Sequence, residues 1–178
     1  MKNIYLIVGR SGVGKTTVVQ ELSKRYGYKE VQSYTTRLPR YEGETGHIFI
    51  TPEEFDKLEN ICAYTEFMGN RYGVTSDIID ENDLYVIDPY GVEYMSINYK
   101  GNKGIVVIGI NEDVKTLYNR MIARGDTHDH AIERLYHDNE AFKNLLNISD
   151  VIFRNRVIED TIQNIHSFIE KNEKKEID

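Results

Sequence analysis

The apolar residues of this chain fall into short continuous runs separated by stretches with helical spacing. Ile4-Tyr5-Leu6-Ile7-Val8 is one such run, bounded by Gly9, and reads as a buried strand. Val18, Val19, Leu22 and Tyr26 then recur on one helix face, and Gly27 ends it. A second strand is expected over Lys29 to Gln32. Thr51-Pro52-Glu53-Glu54 is a capping box with proline at the first helical position, so a helix should begin there. From about Ile61 to Thr75, Tyr, Phe and Met alternate with polar residues around Gly69-Asn70, the pattern of a β-hairpin. Leu84 to Asp88 and Gly104 to Ile110 are further buried-strand candidates. Asn111 is placed to cap a helix running to Arg124, with Gly125 as its stop, and another helix is expected over about Asp129 to Leu146. Val151-Ile152-Phe153 reads as the last core strand, followed by a closing helix from about Glu159 to Lys171.

Strands alternating with helices imply parallel pairing in a layered α/β sheet flanked by helices. The segment from Ser33 to Thr75 breaks that rhythm with shorter, more polar strands. It is expected to form a small antiparallel subdomain inserted into the main sheet. The organisation is thus one domain over 1–171, with a core of 1–32 and 76–171, an insert of about 33–75, and a charged tail at 172–178 that should fray.

Composition narrows the class. The 178 residues can bury one substantial core, and 40% hydrophobic against 29% charged residues fits a soluble globular chain. Twenty-two basic against 29 acidic residues give a net charge of -7, which repels nucleic-acid backbones and anionic membranes. Any phosphate site must therefore be a local concentration of positive groups. Cys62 is the single cysteine, so no intrachain disulfide can form. The first apolar run is too short for a signal peptide, and no stretch approaches a membrane span, so the cytoplasm is the expected location. Monomer and homodimer both remain open.

Gly9-Arg10-Ser11-Gly12-Val13-Gly14-Lys15-Thr16 satisfies G-x-x-x-x-G-K-[ST], directly after the first strand and at the start of the first helix. Glycines let the backbone curl until its N–H groups face an anion. The helix N-terminus adds partial positive charge and Lys15 a full one, while the Thr16 hydroxyl can ligate Mg²⁺. Gly9, Ser11, Gly12, Val13, Gly14, Lys15, Thr16 and the following Thr17 are the candidate ATP-binding residues. A P-loop NTPase-type fold follows, with ATP as phosphoryl donor and Mg²⁺ as its companion ion. A glycine-rich turn that merely precedes a helix is the alternative, and the strand-then-helix context disfavours it.

Ser33-Tyr34-Thr35-Thr36-Arg37-Leu38-Pro39-Arg40 sets two arginines three apart beside a proline-fixed turn. Their planar forks suit one dianionic phosphate, although alone the pair also fits a solvated basic loop. With this segment the chain resembles the guanylate kinase family from about Lys2 to Lys171. Thr35-Thr36-Arg37-x-Pro39-Arg40-x-x-Gly43-Glu44 is similar to that family's acceptor-phosphate loop, and Phe67-x-Gly69-Asn70-x-Tyr72-Gly73 to its nucleotide-binding hairpin. Asp88-x-x-Gly91-Val92 resembles its aspartate-containing strand end. Arg120-x-x-x-Arg124-Gly125, with Arg134 on the next helix, resembles its lid, here about 120–140. The resemblance implies that Arg37, Arg40 and Tyr72 hold the acceptor's phosphate, with Ser33 and Asp88 at its base. It also implies that Lys15, Arg120, Arg124 and Arg134 act on the transferring and donor phosphates. Plainer readings stand beside these: surface ion pairs with Glu133 or Asp129 for the lid arginines, a helix N-cap for Asp88, a hairpin aromatic for Tyr72.

Three positions depart from the family pattern, all on the acceptor side. His47 stands where the family has a phosphate-binding tyrosine, Ala63 where it has the glutamate that pairs with the guanine edge, and Val74 where it has a hydroxyl residue. His47 can itself meet an anion as imidazolium or be an ordinary polar loop residue. Glu66 lies an odd number of residues from Ala63 and in a regular strand faces the other way. His47-Ile48 and Tyr72-Gly73-Val74 resemble ribose 1,5-bisphosphate phosphokinase. The implied activity is ATP-dependent phosphorylation of a nucleoside monophosphate, GMP or dGMP first. A sugar-phosphate kinase is the alternative, and a catalytically silent binding module is an alternative of another class.

Overall fold

The structure, a computed structural model, describes residues 1–39, 41–67 and 69–175. The first half of the chain forms β1 (Asn3–Val8), α1 (Lys15–Tyr26), β2 (Ser33–Thr35), β3 (His47–Phe49), α2 (Pro52–Phe55), β4 (Ile61–Phe67), β5 (Asn70–Thr75), α3 (Ser76–Glu81) and β6 (Leu84–Val86). The second half adds α4 (Pro89–Asn98), β7 (Gly104–Asn111), α5 (Val114–Ala123), α6 (His128–Ala141), α7 (Leu145–Ile148), β8 (Val151–Arg154) and α8 (Ile158–Lys175).

All of β1 is buried, because it lies inside a parallel sheet of order β6-β1-β7-β8 covered on both faces. Its residues divide by the period of two. Tyr5 and Ile7 join Val19, Leu22, Leu117, Ile162 and Ile165 from α1, α5 and α8 in one apolar cluster. Ile4, Leu6 and Val8 join Ile79, Val92, Met95 and Leu145 in the other. This two-sided burial is why the run is continuously apolar rather than alternating. Leu22 is wholly buried, and truncating it to alanine is expected to cost about 2–5 kcal/mol.

The inserted segment is a second four-stranded sheet of order β3-β2-β5-β4. It is mixed: β2 and β3 run parallel, whereas β5 is antiparallel to β2 and to β4. The insert shares the main core, since Cys62, Ala63 and Val74 belong to the cluster of Ile4 and Leu6. The expected hairpin turns at Gly69, whose φ is +71°. The capping box forms as expected, with Glu54 N–H donating to Thr51 Oγ1 at 3.2 Å and Thr51 N–H to Glu54 Oε2 at 2.8 Å.

Four boundaries differ from the sequence reading. The strand expected over 29–32 is an isolated bridge of Glu30 to Leu84. Asp113 rather than Asn111 caps α5, accepting from Thr116 N–H at 2.9 Å, while Asn111 completes β7. The helix expected to reach Leu146 breaks after Ala141, because Phe142 and Leu145 both turn into the core. The charged tail is helical as far as Lys175. Glu173 accepts from Asn3 Nδ2 at 2.9 Å and Tyr5 OH at 3.0 Å, which ties α8 to the start of β1. Among the described residues no helix is long and apolar enough to cross a membrane.

Candidate active site

The chain leaves β1 at its carboxyl end, flanked by β6 and β7, and must turn at once into α1. Two glycines make the turn possible. A Cβ at Gly9 would meet the carbonyl oxygen of Ile110, and Gly14 sits at φ +98°, where a Cβ would lie 2.8 Å from Asn155 Nδ2. Gly14 is also the N-cap of α1 and has no side chain to satisfy the helix's first amides, which leaves them for an anion. Val13 turns its side chain into the core. Its carbonyl accepts from Asn155 Nδ2 at 2.7 Å and Arg120 Nη1 at 3.4 Å, pinning the loop to the start of α8 and to α5.

Lys15 folds back over this loop, with Nζ 2.5 Å from the Gly9 carbonyl and 3.3 Å from that of Arg10. Burial pulls its pKa down to about 8, with Arg124 and Arg134 adding to the effect and Asp138 and Asp88 opposing it. An ammonium so poorly solvated is poised to gain from a phosphate.

Two cavities open from the loop. The first, about 570 Å³, is lined by Gly12, Gly14, Lys15, Thr16 and Thr17 together with Arg120, Arg124, Arg134, Asn155 and Arg156. The other, about 600 Å³, is lined by Gly9, Ser11 and Lys15, by Ser33, His47 and Tyr72 of the inserted sheet, and by Asp88. Ser11, Lys15 and Arg134 line both, so the cavities meet at the phosphate loop.

The three arginines expected to form a lid differ from one another. Arg120 donates to the Asn155 carbonyl at 2.7 Å, and Arg124 makes two bonds to Asp126 Oδ2, at 2.9 and 2.6 Å. Neither pairs with Glu133 or Asp129, the surface partners weighed from the sequence. Arg134 makes no hydrogen bond or ion pair among the described residues, and its Nε is buried without a partner. Its side chain lines both cavities.

In the second cavity Ser33 and His47 are neighbours on parallel strands, and Tyr72 meets the imidazole edge-on at 5.6 Å. Asp88 caps α4, accepting from Gly91 N–H at 2.9 Å as its plainer reading expects, and it also lines the cavity. Arg37 is absent from the lining. It forms a bidentate pair with Glu44 at 3.2 and 2.8 Å, both side chains largely buried. Arg40 lies outside the described residues. Ala63 and Val74 are directly paired and buried in the core, whereas Tyr64, Thr65 and Glu66 border the cavity. The register from Ala63 to Phe67 is regular, which sets Glu66 on the face opposite Ala63. Instead it accepts from Tyr64 OH, whose pKa burial and that carboxylate push up to about 12.

Asn155, Arg156 and Asp138 belong to the site without having been found from the sequence. Asn155 and Asp138 reach the loop across 142 and 127 residues and carry no local pattern.

Comparisons with known proteins bear on the family and the fold. Residues 1–89, which hold β1, the phosphate loop and α1, match the family model described as Rad17 P-loop domain. The chain is 30% identical to the guanylate kinase of Clostridium tetani over 93% of its own length and 84% of that protein's. It is 35% identical to the guanylate kinase of Mycoplasmopsis pulmonis, over 80% and 81% of the two chains. The crystal structure of guanylate kinase from Anaplasma phagocytophilum shares the fold, with a TM-score of 0.65 at 21% identity over 96% of this chain and 85% of that one. The fold and the loop define a P-loop phosphotransferase. The chain belongs to the guanylate kinase family.

Proposed function

We propose that this enzyme transfers the γ-phosphoryl group of ATP to a guanine nucleoside monophosphate, GMP or dGMP, giving ADP and the diphosphate. The observation that carries this reading is the meeting of two cavities at Lys15, Ser11 and Arg134. A donor in one and an acceptor in the other approach each other across one loop. The guanylate kinases aligned along most of the chain support the choice of acceptor.

The amides of Gly12 to Thr17 and the Lys15 ammonium hold the donor phosphates. Arg120 and Arg134 supply charge to the equatorial oxygens, and Arg124 exchanges Asp126 for the donor. A largely dissociative transfer asks for in-line positioning and such fixed positive charge rather than for covalent help. Thr16 is exposed in the first turn of α1 on the donor cavity, a hard oxygen donor of the kind Mg²⁺ takes, so these residues fit the ion. When bound, Mg²⁺ neutralises charge on the β- and γ-phosphates. Ser33, His47, Tyr72 and Asp88 orient the acceptor, and Arg37 leaves Glu44 for its phosphate. Incubation with γ-labelled ATP, Mg²⁺ and GMP should give labelled GDP. A folded sample that binds ATP yet labels no nucleoside monophosphate would refute the reading.

A further inference from the structure

Asp138 has no part in the transfer as described, yet it touches the phosphate loop more closely than any lid arginine. Its side chain is 8% exposed, and Oδ2 accepts the Ser11 backbone N–H at 2.5 Å. Ser11 lines both cavities. The carboxylate also lies near enough to Lys15 to favour its charged form against the effect of burial. A protein anion thus holds an amide at the junction where phosphates would meet.

The opposite sign sits one turn earlier on the same helix. Arg134 and Asp138 are four residues apart in α6, hence on one face, and both border the acceptor cavity. Arg134 has a buried Nε with no partner, while Asp138 holds the Ser11 amide through Oδ2 and has His137 Nδ1 3.9 Å from Oδ1. A phosphate dianion would invert this. It would attract the unpartnered guanidinium and repel the docked carboxylate, because both lie in a poorly solvated site where charge interactions are strong. Before phosphate arrives, the contact satisfies the Ser11 amide and offsets the lysine charge.

We propose that Asp138 is an internal phosphate mimic, occupying the loop of the nucleotide-free enzyme and yielding the Ser11 amide to bound phosphate. The cost of displacing it is subtracted from donor affinity, and α6 reports occupancy by exchanging Asp138 for Arg134 at the loop. The inference rests on the loop being the donor-phosphate site, not on the identity of the acceptor.

The test uses ADP alone, by calorimetry, on the wild type, Asp138→Asn and Asp138→Ala. The asparagine carbonyl can still accept from Ser11 but carries no charge. Both variants should bind ADP more tightly, by on the order of tenfold, while the ligand-free proteins melt at a lower temperature. A residue serving structure alone would weaken both properties together. Unchanged or weaker ADP binding by the folded variants overturns the proposal. Wild type that binds no ADP overturns instead the assignment of the loop. Should neither variant fold, the Ser11 amide resonance of the wild type decides. It should move on ADP saturation as the short bond to Asp138 is lost, and its staying in place contradicts the exchange.

Discussion

Ser33 and His47 face each other across adjacent parallel strands, with the serine Oγ 2.8 Å from the imidazole Nδ1. That contact fixes the ring's orientation on the cavity wall. Because the sheet carries the serine, histidine and Tyr72 to one wall of the cavity, His47 is built into a surface rather than hanging from a loop.

Substitution of His47 by alanine should raise the acceptor KM about tenfold, as expected for one hydrogen bond to a charged group. ADP affinity should not move, since the loop is untouched. Initial rates at saturating ATP, with calorimetry for ADP, test both parts.

Arg37 makes a sharper prediction because its two states are mutually exclusive. The guanidinium that holds Glu44 bidentately cannot hold a phosphate with the same edge. Arg37→Ala should raise acceptor KM by at least about tenfold and leave ADP binding intact. Loss of ADP affinity in a folded variant would place Arg37 on the donor side.

The depressed pKa of Lys15 gives a pH dependence with a definite sign. Phosphate binding needs the protonated amine. Below about pH 8 the free enzyme already carries it and ADP affinity should be flat. Above that point binding must recruit a proton, so Kd should rise, by at most about tenfold per pH unit. Stability of the ligand-free protein runs the other way. An unfolded lysine titrates near 10.5 and the folded one near 8, so between these values the unfolded chain binds more protons and stability increases with pH. Below pH 8 both forms are protonated and the cost of burying the charge is present in full. Lys15→Met should abolish both trends and lower kcat by about 10²–10³-fold.

Asn155 links fold and chemistry. Its amide donates to Val13 and its Oδ1 accepts from Thr161 Oγ1 at 3.1 Å, all within a buried pocket. Asn155→Leu leaves the Val13 carbonyl only the 3.4 Å bond from Arg120, and leaves the threonine hydroxyl its 3.1 Å bond to the Val157 carbonyl. Denaturant unfolding should show a loss of about 1–3 kcal/mol, accompanied by weaker ADP binding as the loop loosens.

What could be read from the sequence divides by range. The phosphate loop was legible because eight consecutive residues, a preceding apolar run and a following helix face all encode one local geometry. The capping box at Thr51 and the turn at Gly69 were legible for the same reason. The cap of α5 was misplaced by two residues because Asn111 and Asp113 are both good caps, and only the length of β7 chooses between them. The break after Ala141 carries no glycine or proline, and Phe142 turns inward through tertiary packing alone. Glu173 belongs to a charged segment that reads as solvent-exposed until β1 is laid beside it. Asn155 and Asp138 were out of reach because each acts on a loop more than a hundred residues away. The grouping of Ser33, His47 and Tyr72 had only the family resemblance to suggest it, and the replacements at Ala63 and Val74 proved to be core residues with no polar reach.

The acceptor proposed for this enzyme is a guanine nucleoside monophosphate. The most direct measurement is kcat/KM for ADP formation with ATP and Mg²⁺ across GMP, dGMP, the other nucleoside monophosphates and ribose 1,5-bisphosphate. The expected result is a clear preference for GMP or dGMP over every other acceptor. Turnover of ribose 1,5-bisphosphate with none of GMP would contradict it.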